Sequence, residues 1–73
     1  MEAYTFRIYL IGGSIISLQG CDDDMIEMLL EKFKQLDKDE FLEQDYGYGG
    51  YICVPVRNIL YVDTYLGIHG PLA

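Results

Sequence analysis

The residues of this chain that could hold a metal ion or do acid–base chemistry are concentrated in one acidic segment. Ten of the twelve Asp and Glu residues lie between Asp22 and Asp45, together with three of the five Lys and Arg residues. This acidic segment therefore carries the whole formal net charge of −7. Two chemistries are open to so many carboxylates: oxygen ligation of a hard cation, and catalysis by a carboxyl pair with separated pKa values.

The triplet Asp22, Asp23 and Asp24 is the densest candidate for a cation site. It lacks the alternating ligands and distal Glu of a calcium loop, and three successive residues at a helix start cannot converge on one ion. Such residues suit a helix start, where an Asp accepts a backbone N–H and carboxylates face the positive end of the macrodipole. We therefore predict helix capping and no metal site. If Asp24 is the cap, Glu27 occupies the capping-box position.

No combination of side chains supports an enzyme or a cofactor site. Exposed carboxylates lack the desolvation that would keep one of them protonated. The single histidine, His69, lies in a predicted tail over residues 67–73 and has no obvious nucleophile beside it. Cys53 is predicted to be a small core residue rather than a thiolate, since no cation precedes it. Cys21 and Cys53 are both predicted to be reduced, because two cysteines make no disulfide framework.

The elements that position the acidic segment begin with a predicted β-hairpin. Apolar residues alternate along residues 3–11, Gly12 and Gly13 mark a turn, and residues 14–19 read as a second strand. A loop with an odd number of residues gives one consistent apolar face, on which Leu10 pairs with Ile16 and Ile8 with Leu18. A two-residue loop would instead place a serine opposite a core isoleucine.

The opposite face of this hairpin is also apolar. It carries Tyr9, Ile11 and Ile15, which is more than a solvated sheet face should expose. We therefore predict that these three residues mediate self-association.

A helix is predicted from about Asp22 to about Asp37. Its apolar residues follow a helical spacing: Ile26, Leu29, Leu30, Phe33 and Leu36. Beyond the helix, Phe41 and Leu42 form a short apolar step, and a glycine-rich loop over residues 45–51 interrupts regular structure. Residues 51–56 and 59–66 read as strands, the last one central in the sheet because both of its faces are apolar.

These elements predict an α+β domain over residues 1–66. About four antiparallel strands in ββαββ order would form one sheet, with a single amphipathic helix packed on one face. A chain of 73 residues builds a thin core, which favours a homodimer. A hydrophobic content of 51% argues against disorder. The absence of a long apolar run and of a signal-peptide pattern in the first ten residues predicts a cytoplasmic protein without a membrane span.

The charge distribution excludes direct nucleic acid binding and suggests binding to a protein that itself handles nucleic acid. Only five Lys and Arg residues are present, and three lie among the acids. An acidic surface can instead imitate a phosphate backbone and occupy the basic groove of a protein that handles DNA or RNA.

The order of hairpin, amphipathic helix and closing strand segment, residues 51–63, resembles small ββαβ proteins of unknown function encoded by bacteriophages and prophages. In size and acidity the chain is also similar to phage inhibitors of host enzymes, including anti-CRISPR proteins and uracil-DNA glycosylase inhibitors. This resemblance implies an inhibitor that acts on a host protein.

The leading prediction is a non-enzymatic, acidic protein-binding module that docks on a basic host protein. Tyr46 and Tyr48 of the glycine-rich loop would be its anchors. Steering would come from seven carboxylates: Glu27, Glu31, Asp37, Asp39, Glu40, Glu43 and Asp45. Two alternatives stay open: an oligomeric protein that closes the Tyr/Gly loop over a nucleotide-like ligand, and a structural subunit that assembles through Tyr9, Ile11 and Ile15.

Overall fold

The chain folds into one helix and five strands that form two antiparallel sheets. The computed structural model describes residues 3–47 and 49–67, with only the backbone described at residues 46 and 47. The elements, in chain order, are β1 (Tyr4–Leu10), β2 (Ile15–Cys21), α1 (Asp23–Gln35), β3 (Phe41–Gly47), β4 (Gly50–Pro55), a short 3₁₀ turn (Val56–Asn58) and β5 (Ile59–Leu66). The α+β class with a single helix is confirmed.

The expectation of one sheet with about four strands is wrong. Strands β2, β1 and β5 form a three-stranded sheet in that order, and β3 pairs with β4 in a separate two-stranded sheet. The short apolar step at Phe41 extends into a full strand, and β3 and β4 pair from Phe41 opposite Pro55 to Gly47 opposite Gly50. The predicted break over residues 45–51 is therefore confined to the tip of this second hairpin. After Pro55, the 3₁₀ turn redirects the chain, so that β5 joins β1 rather than extending the second sheet.

The first hairpin has the predicted parity but a different register. Ile8 pairs with Ile16 and Phe6 with Leu18, a shift of two residues from the expected pairs. The turn is wider than predicted because the paired residues of β1 and β2 end at Tyr9 and Ile15. Within the turn, the Leu10 N–H donates to Ser14 O at 2.9 Å, and the Leu10 carbonyl accepts from Gly13 N at 3.1 Å. Gly12 and Gly13 have φ angles of 108° and 96°, a conformation that favours glycine. A shift by two leaves every side chain on the predicted face.

The expectation that β5 is a central strand is wrong. Among the described strands β5 pairs only with β1, so it forms an edge of the three-stranded sheet and β1 is the central strand. Apolar side chains on both faces of β5 are consequently exposed: Leu60 by 62%, Tyr61 by 54% and Leu66 by 59%.

Helix α1 matches its predicted bounds to within two residues. Its N-cap is Asp22, whose Oδ1 accepts a hydrogen bond from Met25 N at 2.8 Å. Asp24 therefore lies inside the first turn and is not the cap. Ile26 and Leu29 of the predicted apolar stripe are buried.

A single apolar core joins the two sheets and the helix. Its buried members come from β1, β2, α1 and β3: Phe6, Ile8, Leu18, Cys21, Ile26, Leu29 and Leu42. Leu42 has no exposed surface and is the fully buried contribution of the second hairpin. Within the part of the chain that the structure describes, no helix is long and apolar enough to cross a membrane.

Replacing Leu42 with alanine tests whether the second hairpin shares this core. We expect a loss of about 2–5 kcal/mol in the free energy of unfolding, because the truncation leaves a cavity in a closed site. Urea denaturation followed by circular dichroism measures it. The control is Met28→Ala on α1, where the side chain is 43% exposed and the expected change is within about 0.5 kcal/mol. Equal losses for both variants would contradict a shared core.

Candidate functional site

The predicted steering carboxylates all lie at exposed positions, but they are divided among three elements. Two are on α1, three are in the connection that follows it, and two are on β3: Glu27, Glu31, Asp37, Asp39, Glu40, Glu43 and Asp45. The helix and the connection carry lysines among these carboxylates but no exposed aromatic side chain. On β3, by contrast, the carboxylates are brought together with aromatic side chains.

The outward face of the second hairpin combines two carboxylates with two aromatic rings. Leu42 and Val54 point into the core, so the alternation of a strand turns their neighbours outward. Cross-strand pairing then sets the outward residues side by side, and we call this set the acidic hairpin face: Phe41, Glu43 and Asp45 of β3 opposite Pro55, Cys53 and Tyr51 of β4. Phe41 is 49% exposed and Tyr51 59% exposed.

Glu43 is the organising residue of the acidic hairpin face. Its Oε1 accepts a hydrogen bond from the Tyr51 hydroxyl at 2.9 Å, and the Cys53 Sγ lies 3.7 Å from the same oxygen. The backbone of β3 is also tied to α1, since Lys32 Nζ donates to Glu43 O and to Gln44 Oε1, both at 3.0 Å. The carboxylate and the Tyr51 ring are therefore held in place before any partner arrives, which lowers the entropic cost of binding.

The acidic hairpin face offers negative charge and hydrogen-bond donors but no nucleophile. The hydrogen bond to Glu43 raises the pKa of the Tyr51 hydroxyl, and partial burial adds to the rise. Neighbouring atoms desolvate the Cys53 sulfur although the residue as a whole is exposed, and this desolvation, with the Glu43 charge, raises the pKa of its thiol. Both groups thus stay protonated at neutral pH.

The prediction that Cys53 is a core residue is wrong, because β4 turns Val54 inward and Cys53 outward. The cysteine that is buried is Cys21, which lies in the common core. Burial raises the pKa of the Cys21 thiol too.

The two tyrosines predicted as anchors have no described side chains, so their predicted role stays a prediction. Tyr48 and the side chain of Tyr46 lie outside the described part of the chain, as do His69 and the rest of the predicted tail after Gly67. Among the described residues, Phe41 and Tyr51 are the aromatic side chains of the acidic hairpin face. The alternation of Phe41, Glu43 and Asp45 would have revealed this arrangement if β3 had been recognised as a full strand.

A second exposed surface is the outer face of the three-stranded sheet. Tyr9 and Ile15 of the predicted self-association set are cross-strand neighbours there. Ile11 follows β1 in the turn, where its N–H donates to Asn58 O at 2.8 Å. Ile11 is 59% exposed and Ile15 52% exposed. The structure therefore leaves this apolar set uncovered within the described residues.

An ion pair at the centre of this outer face neutralises it. Arg7 donates to Asp63 through Nε at 2.8 Å and Nη2 at 2.7 Å, and the Tyr9 hydroxyl donates to Asp63 Oδ2 at 3.1 Å. The Arg7 guanidinium lies 4.5 Å from the centre of the Tyr65 ring, and Tyr9 stacks on Tyr61 with ring centres 4.2 Å apart. Sequence analysis missed this cluster because β1 and β5 are far apart in the chain.

The described residues contain no group of three or more His, Cys, Asp or Glu side chains that could hold a metal ion. Comparison with known proteins adds no functional assignment: no family model, no curated protein and no solved structure matches the chain. The function is therefore argued from the two surfaces.

Acid denaturation tests the Arg7–Asp63 pair. The Arg7 hydrogen bonds lower the pKa of Asp63 in the folded state below its ordinary value of 3.8. Because the folded pKa is depressed, the pair stabilises the fold above pH 3.8, and this contribution is lost as the pH falls through the lowered pKa. We expect wild type to be more stable than Asp63→Asn at neutral pH in urea denaturation, with a smaller difference in acid. Asp39→Asn controls for net charge. A difference independent of pH would contradict the pairing.

Alkylation of Cys53 tests its contact with Glu43. In Glu43→Gln the amide oxygen can still accept the Tyr51 hydroxyl, but the negative charge that opposes thiolate formation is gone. We expect iodoacetamide to modify Cys53 at least about twofold faster, because the reaction follows the thiolate fraction. Peptide mass spectrometry separates Cys53 from the buried Cys21. Asp39→Asn removes the same charge elsewhere, and an equal acceleration in that variant would contradict a local effect.

Proposed function

We propose that this protein is a non-enzymatic binding module whose acidic hairpin face docks on a basic, nucleic-acid-binding surface of another protein and inhibits it. One observation carries the proposal: Glu43 and Asp45 are interleaved with the exposed rings of Phe41 and Tyr51 on one face of a paired hairpin. Acidic patches alone are ordinary solvated surface. Exposed aromatic rings supply the anchors of a recognition surface, and the carboxylates beside them make it complementary to a basic partner.

The remaining carboxylates act at longer range. Asp37, Asp39 and Glu40 lie in the exposed connection directly before β3, and Glu40 Oε1 accepts a hydrogen bond from Asp37 N at 2.9 Å. Their field extends that of the acidic hairpin face and accelerates encounter with a positively charged partner. Such steering weakens with salt, since the screening length is about 10 Å at 0.1 M ionic strength.

The aromatic rings supply the short-range part of the affinity. Phe41 and Tyr51 are large, have few rotatable bonds and lose exposed surface when a partner covers them. The hydroxyl of Tyr51 already has its acceptor in Glu43, so burial of the ring leaves no donor unpaired. The best-suited partner therefore offers Arg or Lys side chains around an apolar patch.

The kind of partner follows from the charge. A net charge of −7 repels nucleic acid. Carboxylates on an exposed strand and its preceding loop resemble a run of phosphates, so they fit grooves that normally hold DNA or RNA. The similarity in size and acidity to phage inhibitors of host enzymes supports a bacterial host protein as the partner and the host cytoplasm as the compartment.

Capture from a nuclease-treated bacterial lysate, followed by titration with the purified captured protein, tests this function. We expect binding that weakens with salt and is displaced by DNA or RNA. Glu43→Gln/Asp45→Asn removes both charges of the acidic hairpin face and keeps the amide oxygens as acceptors, so its dissociation constant should rise at least about tenfold, or 1.4 kcal/mol. The matched control is Asp23→Asn/Asp24→Asn, which removes two charges at the start of α1 and should change affinity less than about twofold.

Two outcomes would contradict the proposal. One is a captured protein whose affinity does not depend on salt or on competing nucleic acid. The other is an equal loss of affinity in the two double variants, which would mean that net charge matters and the acidic hairpin face does not.

A further inference from the structure

Strand β5 is an edge of the three-stranded sheet that no other described strand covers. Among the described strands its only neighbour is β1, so the backbone groups along its other side have no strand to pair with. Natural edges are commonly protected by Lys, Pro or an unpaired inward charge. Residues Ile59–Leu66 contain no Lys or Pro, and their one charge, Asp63, is neutralised by Arg7. A β-bulge at Leu60 interrupts the N-terminal end of this edge, but from Tyr61 to Leu66 the edge carries no Lys, no Pro and no unpaired charge.

The sequence of β5 is close to a palindrome centred on Asp63. Reading outward from that residue, each side chain meets one of its own size and type: Val62 and Thr64, Tyr61 and Tyr65, Leu60 and Leu66. Antiparallel pairing with an identical strand opposes residues equidistant from the two-fold axis. An axis through Asp63 therefore matches Tyr with Tyr and Val with the isosteric Thr.

The ladder geometry permits this axis. In an antiparallel pair, the two opposed residues must both turn their backbone groups toward the partner strand or both turn them away. From Tyr61 to Leu66, where β5 pairs regularly with β1, these groups alternate, so only an axis that passes through a residue satisfies the rule. Leu60 lies outside this regular part, because it is the extra residue of a β-bulge between Tyr61, opposite Tyr9, and Ile59, opposite Leu10. An axis through Asp63 is one of the allowed registers.

The pattern of exposure agrees with the same register. Leu66, at the end of the regular part of β5, is 59% exposed, and Leu60, at the β-bulge, is 62% exposed. Tyr61 is 54% exposed and already stacked on Tyr9, so a second copy would extend the aromatic row of the outer face. Pairing would bury the apolar side chains that led the sequence analysis to expect a central strand.

Electrostatics also allows a second copy at this edge. Each copy carries −7, but that charge belongs to residues 22–45, whereas the sheet around β5 contains the balanced Arg7–Asp63 pair. The two Asp63 residues would face each other at the axis, a like-charge contact that costs stability. Each carboxylate keeps two hydrogen bonds from its own Arg7, which offsets that cost.

We infer that the protein forms a two-fold homodimer in which β5 pairs antiparallel with β5 of a second copy, centred on Asp63, so that the two three-stranded sheets become one. This inference uses a different surface from the acidic hairpin face. The salt dependence differs as well: added salt screens the repulsion between two −7 chains and strengthens the dimer, whereas it weakens capture of a basic partner.

The test compares lysine substitutions on the two edge strands. Sedimentation equilibrium should give wild type a mass of twice 8.4 kDa at high concentration. Thr64→Lys places a charge at an exposed position of β5 and should raise the dissociation constant of the dimer at least about tenfold. Ser17→Lys places the same charge at an exposed position of β2, the opposite edge, and should change it less than about twofold. Circular dichroism confirms that both variants fold.

Isotope-filtered NOE measurements on mixed labelled and unlabelled wild type fix the register. We expect contacts between copies from Tyr61 to Tyr65 and from Val62 to Thr64. Three results would overturn the inference: a monomer at all concentrations, equal effects of Thr64→Lys and Ser17→Lys, or a dimer broken by Ile15→Lys and not by Thr64→Lys. The last result would place association on the outer sheet face instead.

Discussion

The alternation of side chains along the central strand β1 is the constraint on which the rest of the structure depends. Phe6 and Ile8 point inward with no exposed surface, and they form the floor on which α1 and Leu42 of the second hairpin pack. Arg7 and Tyr9 necessarily point outward and bind Asp63 of β5. One strand thus fixes both the common core and the neutral outer face of the three-stranded sheet.

The acidic hairpin face is a consequence of the same core. Because Leu42 is drawn inward, its neighbours on β3 must face solvent, and Glu43 then meets Tyr51 and Cys53 across the ladder. Lys32 binds the same strand to α1. The surface proposed for partner binding is therefore tied to the helix as well as to its own paired strands.

Local pattern was enough to predict α1, β5 and the facing of the first hairpin, because these depend on periodicity and turn residues. Prediction from local pattern failed where a contact between residues far apart in the chain determines the structure. The pairing of β1 with β5 made β5 an edge strand, and burial of Leu42 turned an acidic stretch without obvious period into strand β3. Both contacts bear on function. The pairing of β1 with β5 leaves the near-palindromic strand β5 at a sheet edge, and the burial of Leu42 places Phe41 and Tyr51 beside Glu43.

The central claim is that the acidic hairpin face is where a basic protein partner binds. Backbone amide chemical shifts of the labelled protein, recorded during titration with the captured partner, test it most directly. The account predicts that the largest shift changes occur in β3 and β4, between Phe41 and Asp45 and between Tyr51 and Cys53. Changes that are largest at the start of α1 or along β5, with β3 and β4 unaffected, would contradict it.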